Sequence, residues 1–200
     1  MTIRFTKMHG LGNDFMVIDA LSQPLSLTAS QIADLGRRDT GIGFDQCLIV
    51  EPSPHKGVDF FYRIFNADGQ EVGQCGNGAR CLARFIHYYG LSEKRELTVA
   101  THSTKMTLII NDDQSVTVNF GQPKLAPADI PLRADKEQPF YTIVGDTLKP
   151  PYKVHALNVG NPHAVMAVED CRNADVKTMG AIISRHPDFP EGVNVGFMQI

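Results

Sequence analysis

The sequence predicts a strand-rich α/β (α+β) protein with few helices. Three observations carry that prediction. Val58, Phe60, Tyr62 and Ile64 alternate with period two, as a strand with one buried face does. After Cys75, the residues Ala79, Leu82, Ala83, Ile86 and Tyr89 recur at helical spacing, and Gly90 marks the stop. Residues 122–151 then hold Pro123, Pro127, Pro131, Pro139, Pro150 and Pro151. Such a stretch suits a crossing between two domains better than a regular helix. The division expected is 1–121 and 122–200.

The remaining elements follow in order. Ile3–Met8 alternates as a strand, a Gly-rich turn follows, and Phe15–Asp19 is the next strand. Thr28-Ala29-Ser30-Gln31 has the form of a capping box and opens a short helix carrying Ile32 and Leu35. The alternating run from Val58 delivers Asn66 at its end. Glu96–Thr101, Lys105–Ile110 and Val116–Phe120 are three further strands, the last two joined by a turn at Asn111-Asp112-Asp113-Gln114. Lys153–Val159 and Ala164–Val168 are strands, Val176–Ser184 is a short helix, and Val193–Met198 is the final strand.

Composition excludes several function classes. The chain has 200 residues, 42% hydrophobic and 20% charged, with a net charge of -3. No basic patch points to nucleic acid or a membrane surface, and no apolar run approaches the ~20 residues of a spanning helix. A cytoplasmic protein is expected. The four cysteines form no Cys-x-x-Cys pair, and the seven histidines lack metal-ligand spacing, which argues against a zinc site. Cys47 and Cys81 lie among apolar residues and are expected in the core. Cys171 has no functional reading.

Cys75 differs. It is followed by Gly76-Asn77-Gly78, directly before the helical pattern. A thiol at a helix N-terminus meets free backbone N–H groups and the positive end of the helix dipole. That setting is expected to lower the thiol pKa and to hold an anion beside it. A thiolate base next to a bound carboxylate is the chemistry it suits. Amide side chains recur near glycine or proline at other strand ends: in His9–Phe15, Gly41–Gln46, Asn66–Arg80, Asn158–His163 and Gly192–Gly196. Neutral amides donate and accept hydrogen bonds without adding charge, which fits a zwitterion. Ordinary turn chemistry explains any one such loop, but the set tips toward a site. Cysteine–histidine dyads power acyl transfer, but sequence spacing alone does not bring Cys75 and His163 together.

These segments together resemble the diaminopimelate epimerase family. The resemblance rests on Met8–Phe15, Gly43-Phe44-Asp45-Gln46, Asn66-Ala67-Asp68-Gly69, Gln74–Arg80, Asn161-Pro162-His163 and Gly192–Gly196. It implies cofactor-independent, two-base epimerisation of LL-diaminopimelate to meso-diaminopimelate, in lysine and peptidoglycan precursor synthesis. It further implies two similar domains, each a curved, barrel-like, mainly antiparallel sheet around a central helix, with the site in the cleft. Cys75 matches the first of two catalytic cysteines, and His163 a residue that tunes them. Asn13, Gln46, Asn66, Gly76, Asn77, Asn161 and Asn194 match substrate-binding positions. A small amino-acid substrate and a full-length homodimer are the partners implied.

One departure stands out. The family's second cysteine lies in a Cys-Gly-Thr-Gly-like segment that belongs after Val193–Met198, and neither Cys81 nor Cys171 has those neighbours. The expectation is therefore a C-terminally truncated chain, its second domain incomplete, with negligible activity alone. The alternatives are another racemase of the same architecture, such as a proline racemase, and a non-catalytic amino-acid-binding fragment. The His9–Phe15 and Gly43–Gln46 segments argue against the first.

Overall fold

The computed structural model describes residues 2–145 and 148–200. The chain divides into two compact units, Met1–Phe120 and Gly121–Ile200.

In the first unit, among the described residues, eight strands form one sheet. They are β1 (Thr6–Gly10), β2 (Asn13–Asp19), β3 (Gln46–Pro52), β4 (Phe60–Asn66), β5 (Glu71–Val72), β6 (Glu96–Ala100), β7 (Lys105–Ile110) and β8 (Val116–Asn119). Their order is β1-β2-β3-β4-β6-β7-β8, with β5 beside β4. The pairs β2/β3 and β4/β6 are parallel and the rest antiparallel. Helix α2 (Gly76–Tyr88) touches β1, β2 and β3 as well as β7 and β8. It meets strands from opposite ends of the sheet order, so the sheet curls around it. Phe15, Leu48, Tyr62, Ile64, Leu82 and Ile86 fill the space between. Helix α1 (Ala29–Gly36) covers the other face, where Met16, Ile18, Ile32, Cys47, Ile49 and Phe65 are buried.

Most of these elements lie where the sequence places them. The capping box forms: Thr28 Oγ1 accepts from Gln31 N, and Gln31 Oε1 accepts from Thr28 N. β1 starts later than expected, at Thr6, and its turn is only Leu11-Gly12. β3 reads in the sequence as the short apolar run Cys47-Leu48-Ile49-Val50 and not as an alternating strand. Cys47 and Ile49 face one core while Leu48 and Val50 face the other, so no alternation shows.

In the second unit, β9 (Tyr141–Gly145), β10 (Leu148–Asn158), β11 (Pro162–Ala167) and β12 (Asn194–Met198) form a sheet in the order β12-β11-β10-β9. β11 and β12 are parallel. Helix α3 (Val176–Ser184) packs against β12, and Ile143, Val154, Ala164, Met166, Ile183 and Phe189 form the core. The proline-rich stretch holds a 3-10 turn at Pro127–Asp129, but also β9 and the start of β10. A register shift between Leu148 and Tyr152 accommodates the adjacent prolines, which lack the N–H a regular ladder needs. Residues 146 and 147 of that stretch lie outside the described residues.

Candidate functional site

Three of the amides are neighbours by strand register. Asn13 opens β2, Gln46 opens β3 and Asn66 closes β4. Phe15 pairs with Gln46, and Gln46 with Asn66. Side chains alternate along a strand, so Asn13, Gln46 and Asn66 continue the α2-facing rows of Phe15, Leu48 and Ile64. Gln46 Nε2 donates to Asn66 Oδ1 at 3.0 Å. Asn13 Oδ1 and Gln46 Oε1 are buried without a hydrogen-bond partner. Two unpaired acceptors are costly unless a donor reaches them, and a ligand ammonium supplies such a donor.

Cys75 is the N-cap of α2, in extended conformation at φ -151 and ψ 113. Its Sγ accepts from Gly78 N at 3.3 Å, and Asn13 Nδ2 lies 3.8 Å away. The glycines that follow have a packing reason. A Cβ on Gly76 would lie 3.1 Å from the Phe120 ring, and one on Gly78 3.2 Å from Leu48 Cδ2. The first turn of the helix is thus pressed onto the sheet that carries the amides. Asn77 sits in the same turn, its Oδ1 accepting from Arg80 Nη2.

The thiol differs from expectation in one respect. Burial pushes the Cys75 pKa up, and this outweighs the lowering by the Gly78 and Asn77 backbone N–H groups and by the Arg80 charge. The helix terminus therefore moderates the rise without reversing it. Cys47, with burial alone acting on it, is pushed up to about 12, and Cys81 to about 11. Both are core residues, as expected.

The second unit gathers the other amides. β11 and β12 run parallel, and His163 pairs with Asn194 near their starts. His163 Nε2 lies 2.9 Å from Asn161 Oδ1, and Asn194 Nδ2 donates to Pro162 O at 3.1 Å. Half-burial lowers the His163 pKa, which favours a neutral imidazole at pH 7. Among the described residues, no three His, Cys, Asp or Glu side chains cluster as metal ligands.

Two supports escaped the sequence reading. Thr101, buried, donates through Oγ1 to Gly73 O at 2.6 Å, and Ser103 Oγ donates to the same carbonyl at 2.9 Å. They brace the segment entering Cys75. The second is a charged cluster of Lys7, Asp14, Arg38 and Asp45 beside Asn13 and Gln46. Asp14 and Asp45 stand inside the segments already singled out, but only strand pairing reveals that they meet.

The model of the diaminopimelate epimerase family matches residues 5–126. A diaminopimelate epimerase of Legionella pneumophila strain Corby is 60% identical over 203 aligned residues, which cover 100% of this chain and 72% of the relative. The chain belongs to the diaminopimelate epimerase family. The enzyme of strain Paris gives the same identity and coverage. Among solved structures, a hydroxyproline epimerase of Agrobacterium vitis is similar with a TM-score of 0.63 at 14% identity. That similarity covers 94% of this chain and 64% of the other, slightly under two thirds of its length. A methylitaconate-delta-isomerase gives a TM-score of 0.54 at 15% identity, over 96% of this chain and 59% of that one. At such identities the two structures attest the fold, and the epimerase relatives attest the family.

Proposed function

We propose that this protein epimerises LL-diaminopimelate to meso-diaminopimelate without a cofactor, using Cys75 as one of two opposed bases. The observation that carries this is Cys75 itself, a half-buried thiol capping α2 beside the Asn13 amide. An α-proton of an amino acid is weakly acidic, so the base must be strong and the carbanion well stabilised. Burial makes the Cys75 thiolate a stronger base once formed, while lowering its population at neutral pH. Backbone N–H groups at Gly76 and Asn77, at the start of α2, are assigned to the substrate α-carboxylate, where charge develops.

Asn13, Gln46 and Asn66 are assigned to the substrate's polar groups, with the unpaired Asn13 and Gln46 oxygens suited to an ammonium. Asn161 and Asn194 are assigned to the same substrate, and neutral His163 to tuning the thiol chemistry. Cys47 and Cys81 are core thiols and Cys171 lacks the neighbours of the family's second cysteine, so none of the three is cast as the opposite base. A reduced catalytic thiol fits the cytoplasm. The homodimer belongs to the same reading, and sedimentation of the natural-length protein tests it.

The deciding experiment uses the natural-length protein in deuterated water. Turnover should place deuterium at the inverted α-carbon, read by mass spectrometry and chiral separation. Cys75→Ala should lower the rate by about 10²–10⁴-fold, as loss of a positioned acid or base does. Near-normal turnover by that variant would remove Cys75 from the mechanism. Equal turnover of proline would favour the racemase alternative.

A further inference from the structure

We infer that Asp14 and Asp45 form a reciprocal carboxylate-to-backbone clamp that positions the amides of Asn13 and Gln46. The inference builds on the assignment of those amides to substrate. The geometry is closed on itself. Asp14 N donates to Asp45 Oδ2 at 2.9 Å, and Asp45 N donates to Asp14 Oδ1 at 3.0 Å. Asp45 N also lies 2.9 Å from Asp14 O. Arg38 Nη2 bridges both carboxylates, at 2.8 Å from Asp14 Oδ1 and 2.7 Å from Asp45 Oδ1. Lys7 Nζ holds the other Asp14 oxygen at 2.8 Å and donates to Gly43 O.

The clamp sits where β2 and β3 begin side by side. Each clamping aspartate is bonded in sequence to one site amide: Asn13 precedes Asp14, and Gln46 follows Asp45. Alternation puts the carboxylates on the face opposite the amides. The aspartates therefore act through the backbone and are positioning residues. Such positioning matters because Asn13 Oδ1 and Gln46 Oε1 are unpaired, so each amide is held only through its nitrogen, at Cys75 Sγ and Asn66 Oδ1.

A built-in control exists at β4 and β6, the other parallel pair of the first unit. Asp59 Oδ2 accepts from Thr98 N at 2.9 Å and Asp59 Oδ1 from Lys94 Nζ at 2.6 Å, tying β4 to β6. It is the same kind of bond with no site amide beside it.

The test compares Asp14→Asn, Asp45→Asn and Asp59→Asn in ¹⁵N-labelled natural-length protein. The side-chain NH2 signals of Asn13 and Gln46 should move and broaden in the first two and stay in place in the third. In steady-state kinetics, Asp14→Asn and Asp45→Asn should lower kcat/KM on the order of 10²-fold, the scale of a small misplacement of reacting groups. Asp59→Asn should lose stability while retaining kcat/KM. If an aspartate variant does not fold, Arg38→Gln carries the test with the same readout, because that side chain is 61% exposed. Folded variants with unmoved Asn13 and Gln46 signals would overturn the clamp. Equal movement in Asp59→Asn would also overturn it, by showing a general structural effect. If diaminopimelate shifts neither amide in the wild type while the clamp variants do, the clamp stands and the substrate assignment fails.

Discussion

Burial raises the Cys75 pKa, while two backbone N–H groups and Arg80 pull it down. The residue reads as a helix-capping thiol from sequence alone, because Cys-Gly-Asn-Gly precedes a helical pattern. The net direction of its pKa was not legible, since burial is a property of the packed sheet. Three of the four thiols nevertheless differ in burial enough to be told apart. Cys75 is half-buried, whereas Cys47 is 0% and Cys81 4% exposed. Limiting alkylation of the folded protein should label Cys75 ahead of Cys47 and Cys81, as mapped by peptide mass spectrometry. The rate should climb with pH, with its midpoint above the ordinary thiol value of about 8.5. The sign of the linked stability follows. A folded pKa raised by burial favours folding fully below the unfolded value and is lost as pH rises through the folded one. Cys75→Ala should therefore flatten the alkaline fall in melting temperature. An unchanged alkaline limb would mean that the thiolate is not disfavoured in the folded state.

At the scale of elements, the β1–β2 hairpin joins site and strain. Its two-residue turn places Leu11 at φ 54 and Gly12 at φ 85, both in the left-handed region. Glycine accepts that conformation freely, but a leucine there costs roughly 1–2 kcal/mol. The Leu11 side chain is 86% exposed, so little packing offsets the cost. Leu11→Asn, which makes the Asn-Gly pair favoured by such turns, should stabilise the fold by about 0.5–1 kcal/mol. Calorimetry checks this, and no gain would mean that Leu11 makes a compensating contact. Strands with one buried face, such as Lys105–Ile110, were legible because their residues alternate. β3 was hidden because both its faces are buried. The start of β10 was hidden because prolines mark loops unless a bulge absorbs them. The Asp14–Asp45 clamp was hidden because it joins a residue of β2 to the residue just before β3, 31 positions apart.

For the whole chain, the family motifs were legible because they combine glycines required by packing with amides fixed at strand ends. The distribution of buried structure was not. The first unit buries two clusters, one on each face of its sheet, and α2 lies within the curl. The second unit buries one cluster behind a sheet of four strands. Its edge strand β12 leaves Asn194 and Met198 exposed, and Val195 and Phe197 only partly covered. Amide protection scales with the free energy of local opening, which is low where buried apolar contacts are few. Residues 122–200 should therefore exchange faster than residues 1–120, with β12 among the fastest strands and β3 and β4 among the slowest. Hydrogen-exchange mass spectrometry on the monomeric chain measures this directly. Equal, high protection in both ranges would show that one buried cluster holds the second unit as firmly as two hold the first.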